Sequence, residues 1–258
     1  MDQIGGLFAL EGRAALVTGA SSGLGRHFAR TLARAGARVA VAARRVDRLE
    51  ELRREIEAAG GEAVAVALDV TDAASVAAAV GEAARRLGPL RILVNNAGIA
   101  LTKGVLEASE ADWDHVIDTN LKGSWLVAQA VARHMAEHGA GGSIVNIGSI
   151  TGLRVAGQVS AYAASKAALL HLTRAMALEL VRHRIRVNAL APGYIETELN
   201  QAFFASEAGK ALVKRIPQRR LGRPEELDGA LLLLTSDAGS YMTGSVVAID
   251  GGHLVSSL

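Results

Sequence analysis

The sequence predicts an α/β fold of the doubly wound kind, with a seven-stranded, mainly parallel sheet flanked by helices on both faces. Three observations predict it. Short aliphatic runs alternate with longer Ala/Leu/Arg/Glu stretches of helical period along the 258 residues. Those runs are apolar on both sides, as strands covered on two faces must be. The alternation repeats with no linker, low-complexity segment or fixed-period repeat, so residues 1–258 read as a single domain.

In chain order, 14–17 is a buried strand and 23–35 a helix opened by glycines. Residues 38–43 and 62–68 are aliphatic strands, each followed by a periodic helix, 46–59 and 73–86. Strand 91–94 leads into one long helix, 113–137. Strand 143–147 precedes helix 160–182, and strand 185–190 follows it. A less regular insertion near 194–216 reads as a lid. Helix 224–235 and a last strand, 245–249, complete the pattern.

Composition excludes several classes. The chain has no cysteine, so disulfides, thiolate nucleophiles and Cys-based metal sites are absent. A formal charge of +2 gives no general affinity for nucleic acid or membrane. The opening "MDQIGGLFALEGR" has no apolar core of signal length, and the longest aliphatic run, 230–234, is too short to span a bilayer. A cytoplasmic enzyme is expected, with a small-molecule partner and neither nucleic acid nor membrane.

The first strand ends in "VTGASSGLGRHF". Gly19, Gly23 and Gly25 lie between strand and helix, where a sharp turn, close backbone approach to a pyrophosphate and tight helix packing each require glycine. Free N–H groups and the positive end of the helix dipole favour an anion there, so Ser21, Ser22 and Leu24 join the glycines as candidate cofactor contacts. The second strand ends in "VAVAARRVD", with no carboxylate to take a ribose 2′-hydroxyl. Arg44 and Arg45 follow it instead, and guanidinium pairs with phosphate through a two-pronged fork. That reads as a 2′-phosphate site and NADP(H); the alternative is two solvated arginines opening a helix.

"TGASSGLG" at 18–25, "LDV" at 68–70, "NNAG" at 95–98, Asn120 in "DTNLKG", Ser149 in "NIGS", Tyr162 and Lys166 in "YAASK", and "PGYIET" at 192–197 occur in one order. With these motifs the chain resembles the short-chain dehydrogenase/reductase family over essentially its whole length. The resemblance implies a Rossmann fold and a hydride-transfer enzyme. It implies that Asp69 and Val70 contact adenine, that Asn96, Ala97 and Gly98 line the nucleotide cleft, and that Pro192, Gly193, Ile195 and Thr197 meet the nicotinamide. It implies that Ser149, Tyr162 and Lys166 carry the chemistry, with Asn120 holding a water that relays protons to Lys166. A homotetramer pairing through 113–137, 160–182 and the final strand is also implied.

The chemistry has its own logic. Hydride transfer to a ketone leaves negative charge on oxygen, so a proton donor must stand within hydrogen-bond reach. A free phenol titrates near pH 10, and an ammonium nearby lowers that value. Tyr162 and Lys166 stand at i and i+4, on one helix face. A serine hydroxyl such as Ser149 orients and polarises the carbonyl.

The substrate is less legible. Leu199, Phe203 and Phe204 give the lid an apolar side; with Leu153, Val155 and Tyr194 they suggest a hydrophobic or aryl ketone, or a β-keto ester. A 3-oxoacyl-thioester reductase is an alternative; Ala140 and Leu178 stand where carrier-dependent members of the family carry docking cations, with Arg174 or Arg182 as substitutes for them. NAD-dependent alcohol oxidation and a catalytically idle regulator are the others. Arg91 replaces an Asp frequent at the start of strand four in the family, with an expected effect on packing or salt bridges only. His134 and His138 flank Glu137 at the wrong register for a zinc helix. His253 keeps two readings, a surface or interface residue and the edge of a substrate pocket, its own or a neighbouring subunit's.

Overall fold

The structure, a computed structural model, describes residues 3–198 and 200–256. Its strands are β1 (Ala14–Thr18), β2 (Arg38–Ala43), β3 (Glu62–Ala67), β4 (Leu90–Asn95), β5 (Gly142–Ile147), β6 (Ile185–Pro192) and β7 (Val246–Ile249). They form one sheet in the order β3-β2-β1-β4-β5-β6-β7. Every pairing is parallel, not merely most of them.

Side chains along each strand alternate between two cores. Val17, Val41, Val94 and Ile147 face one side, where helices α2 (Gly23–Arg34) and α3 (Val46–Ala58) bring Phe28, Leu32, Leu49 and Leu52. Leu16, Ala42, Leu93 and Ile144 face the other, against Val80 and Leu87 of α4 (Ala73–Leu87) and Val131 and Met135 of a later helix. With both faces buried, the strands have no polar side to show, hence their continuous aliphatic sequence. A short helix, α1 (Gln3–Leu7), precedes β1 and was not legible as a periodic run.

The helix expected at 113–137 starts earlier and is interrupted. Ser109 caps α5 (Glu110–Ile117): its hydroxyl accepts the Asp112 amide, and the Asp112 carboxylate accepts the Ser109 N–H. A single π-helical turn, Asp118–Lys122, then leads into α6 (Gly123–His138). Such a turn inserts one residue into the helical repeat, and here it carries Asn120 to full burial. The periodicity of apolar residues is nearly blind to a one-residue insertion.

Helix α7 (Ser160–Leu180) ends in a 3₁₀ turn at Val181–His183. The segment expected to be a lid, 194–216, contains α8 (Gln201–Ala205) and α9 (Glu207–Val213); Leu199 lies outside the described residues. The helix expected at 224–235 opens as a 3₁₀ turn, Pro224–Leu227, and continues as α10 (Asp228–Thr235), whose Leu231 and Leu234 join the first core. Among the described residues no helix is long and apolar enough to cross a membrane, and no cluster of His, Asp and Glu suits a metal. Arg91 is partly buried, its Nε without a hydrogen-bond partner, at the end of β4 away from the cleft.

Leu93→Ala tests the central strand. Leu93 is fully buried between β1 and β5, so the cavity it leaves should cost about 3 kcal/mol. Chemical denaturation should show a lower midpoint with an unchanged slope.

Candidate active site

The carboxyl ends of β1, β2, β4, β5 and β6 open into one cleft of about 680 Å³. Open parallel sheets bind ligands at that edge because the connecting loops diverge there. Gly19 has φ +66°, and a Cβ on it would stand 2.9 Å from the Ala97 Cα, so only glycine lets the β1 loop lie against the β4 loop. Asn96 ties the two loops, donating from Nδ2 to the Thr18 carbonyl at 3.0 Å. The Thr18 hydroxyl takes the amides of Asn96 and Ala97, each at 3.0 Å. Gly25 lies behind the cleft and does not line it: a Cβ there would meet the Gly19 carbonyl at 2.3 Å. Its part is to let α2 close on the loop.

The cleft fits an anionic dinucleotide. Ser22, at the start of α2, makes no capping bond, which leaves N–H groups of the first turn open. The Gly23 N–H is oriented to an anion: a carboxylate oxygen of Glu198, from the lid, stands 3.4 Å from it. Beyond β2 no carboxylate lines the cleft; Arg44 and Arg45 do, and Arg45 Nη2 donates to Ser21 Oγ (3.0 Å) and Ser22 Oγ (2.9 Å). Asp69 and Val70 line the same end. The Thr71 hydroxyl and amide, with Arg44 nearby, hold the Asp69 carboxyl below its usual range. Asn96, Ala97, Gly98, Pro192, Gly193, Ile195 and Thr197 complete the wall, with His115 and Thr119 added by the structure.

At the far end stand Ser149, Tyr162 and Lys166. Ser149 follows β5 and opens a 3₁₀ turn, Ile150–Gly152. Its oxygen accepts the Thr151 amide at 3.1 Å and the Thr151 hydroxyl at 2.9 Å. Both acceptor sites are thereby used, so the Ser149 proton is left to donate. A Cβ on Gly152 would meet the Lys166 backbone at 2.8 Å, and its lack lets this turn lie on α7. Lys166 is buried, and Nζ donates to the Ile147 carbonyl at 2.8 Å. Nζ also stands 5.6 Å from the Tyr162 ring centre. Burial pulls the Lys166 pKa from 10.5 to about 8.

One expectation is overturned. Spacing alone suggested that Lys166 lowers the Tyr162 pKa. Burial of the phenol dominates and pushes it up, although contact with the Ser149 hydroxyl works the other way. The ammonium is engaged by Ile147, on strand β5. Asn120 is not among the residues lining the cleft: its Oδ1 accepts the Ile99 amide, and its Nδ2 donates to the Ile99 carbonyl and to Ser165 Oγ. The side chain braces the β4 loop against α7. Sequence reasoning also missed the layer beneath, where Asn95 donates to Asn146 and Asn146 to Thr173. "NNAG" and "NIGS" held the first two in plain view, but nothing in the sequence pairs them.

A second cavity, about 1550 Å³, adjoins the first and shares Ser149, Tyr162, Gly193 and Tyr194 with it. Val155, Tyr194, Phe203 and Phe204 line it, as expected, while Leu153 is half-exposed and does not. The Tyr194 ring packs between Phe204 (5.9 Å) and His253 (5.5 Å). His253 therefore edges its own chain's pocket.

Comparisons with known proteins agree with this arrangement. A family model described as enoyl-(acyl carrier protein) reductase matches residues 19–253. Gluconate 5-dehydrogenase of Gluconobacter oxydans is 42% identical over 251 residues, 97% of this chain and 98% of that one. The crystal structure of a short-chain type dehydrogenase/reductase from Mycobacterium marinum is 46% identical, with a TM-score of 0.91 over 96% of this chain and 97% of that one. That of a gluconate 5-dehydrogenase from Burkholderia cenocepacia, in complex with NADP and tartrate, is 39% identical, with a TM-score of 0.94 over 99% of this chain and 100% of that one.

The buried lysine has a consequence for stability. Between about pH 8 and 10.5 the unfolded chain holds a proton on Lys166 that the folded protein has released, so raising pH across that window favours folding. The stability of wild type relative to Lys166→Met should rise by up to about 3 kcal/mol from pH 8 to 10.5. Denaturant titrations of both proteins across the window measure it, and a flat difference would contradict the shift.

Proposed function

Because this chain belongs to the short-chain dehydrogenase/reductase family, we propose that it is an NADP(H)-dependent oxidoreductase interconverting a ketone and a secondary alcohol. The observation that carries the proposal is the convergence of Ser149, Tyr162 and Lys166 where the dinucleotide cleft meets the second cavity. Bound NADPH would supply the hydride that reduces the carbonyl carbon.

The chain's residues do the rest. Ser149 directs its free proton at the carbonyl oxygen and so fixes the carbonyl in place. Tyr162, kept protonated by burial, gives its proton to that oxygen as charge develops. A raised phenol pKa suits the reductive direction, which needs the acid form at hand. Lys166, whose Nζ stands 5.6 Å from the Tyr162 ring centre, faces Gly98 and would hold the nicotinamide ribose that passes there. Asn120 acts as a brace for the loop carrying Gly98.

The 2′-phosphate is assigned to Arg44 and Arg45, supported by the lack of an acid beyond β2 and by NADP in the Burkholderia relative's crystal. For the substrate, relatives named as gluconate dehydrogenases favour a polar, hydroxylated ketone. The hydrophobic or aryl ketone expected from the sequence rests on Tyr194, Phe203 and Phe204, which line the cavity together with Ile150, Val155 and Leu212. A carrier-bound substrate has less support, because exposed Ala140 and Leu178 offer no charge to an acidic carrier. Exposed Trp113, Trp125 and Leu178 on α5, α6 and α7 favour assembly through these helices, with a tetramer as the proposed state.

Tyr162→Phe should lower kcat for ketone reduction by 10³-fold or more, with NADPH affinity by fluorescence titration within a few-fold of wild type. Unchanged turnover would remove the assignment. Arg45→Ala should raise KM for NADPH about 10- to 100-fold and leave that for NADH nearly unchanged, since one charge-assisted contact is lost. Steady-state kinetics with both cofactors decides it, and a wild type preferring NADH would refute the phosphate assignment.

A further inference from the structure

The wall of the second cavity has a charge that hydride transfer does not use. Arg154, Lys214, Arg215, Arg219 and His253 line it, and no Asp or Glu does. The whole chain is almost neutral at +2, so this concentration is local. Among the described residues none of the four permanent cations makes an ion pair. Cations gathered in a concave wall without counter-charges repel one another and attract an anion.

Arg154 is the best placed of them. It lies five positions beyond Ser149, and its amide donates to the Ile150 carbonyl at 2.8 Å, closing the turn that Ser149 opens. Its guanidinium is partly buried, where a charge-assisted bond is strengthened by partial desolvation. Nη1 donates to the His253 carbonyl and to Ser256 Oγ (2.6 Å), which pins the group to the C-terminal segment. Nε and Nη2 have no protein acceptor among the described residues, so one edge of the fork is open. Beside it, His253 Nδ1 is buried without a hydrogen-bond partner. A planar fork held by one corner, with its other edge free, is suited to a carboxylate.

We propose that Arg154 binds the carboxylate of the substrate, with Arg215 and His253 beside it, and so makes the enzyme selective for keto acids over neutral ketones. This rests on the hydride-transfer reading above and names the substrate class for that site. Selectivity would arise because a neutral ketone leaves the guanidinium edge unpaired, whereas a keto acid satisfies it.

The test uses matched substrates with NADPH: 5-keto-D-gluconate against 5-keto-D-fructose, and acetoacetate against its ethyl ester. Wild type should favour the anionic member of each pair by tenfold or more in kcat/KM. Arg154→Gln should lose about 30-fold or more on the anionic members, mainly through KM, with the neutral members changed less than about twofold. Ser256→Ala, which frees the tether and keeps the guanidinium, should retain the preference. Equal losses on both members in Arg154→Gln, or a Ser256→Ala variant that matches it, would make Arg154 a brace for the C-terminus and overturn the proposal. A wild type that reduces the neutral ketones as well as the acids would also overturn it. If no ketone is reduced at all, the hydride-transfer reading fails, and calorimetry with D-gluconate on the NADP⁺-loaded proteins still decides the anion site. Binding weakened tenfold or more in Arg154→Gln supports the site, and equal binding refutes it.

Discussion

An ammonium group buried to 4% exposure is the constraint around which the site is built. Removing Lys166 from water is costly, and among the described residues one hydrogen bond from Nζ, to the Ile147 carbonyl, offsets it directly. The remaining cost is visible as a lysine pKa pulled down to about 8. That bond crosses from α7 to the end of β5, so it sets how the helix carrying Tyr162 meets the sheet. One glycine follows from it: Gly152 admits the Ser149 turn against the Lys166 backbone. At Gly98 the close neighbour is Asn120 Oδ1, 3.2 Å from where a Cβ would stand.

The surrounding polar groups serve the same geometry. Asn120 reaches Ser165, whose hydroxyl donates to the Tyr162 carbonyl at 2.7 Å, so the π-helical turn is linked to the tyrosine's own backbone. Under this layer, Asn95, Asn146 and Thr173 join β4, β5 and α7 by side-chain bonds in a buried setting, where such bonds are strong and their loss is expensive. A site assembled from four separate chain segments is thereby held with little freedom, which is what positioned proton transfer needs.

Chemistry and selection occupy different parts of the molecule. The cleft at the strand ends is made by rigid loops whose conformations depend on glycine and on strand register. The cavity beyond Tyr162 is walled by the lid helices, the segment after Ser149 and the C-terminal turn, where Asp250 accepts the amides of Gly252 (2.8 Å) and Leu254 (2.7 Å). Those segments carry no strand and few core contacts, so they can differ in charge and shape without disturbing the proton-transfer groups.

The seven strands, most helices, the glycine loop and the Ser149, Tyr162 and Lys166 set were legible in the sequence. Each depends on local rules: two-sided apolar runs, helical period, glycine at turns, and i, i+4 spacing. Asn120 was legible as a site residue but not as a brace, because its role depends on a π-helical turn that adds one residue to an otherwise regular helix. The direction of the Tyr162 shift was misread, since spacing reports proximity to an ammonium but not burial of the phenol. Arg154 carries no signal in the sequence that singles it out. Its meaning depends on the C-terminal turn, about a hundred residues later, which pins one nitrogen and leaves the others open. By itself the sequence determined the fold and singled out the candidate proton-transfer groups, because both are written in short-range patterns. Only the tertiary structure decided the charge of the second cavity's wall, because that wall is made by distant segments meeting.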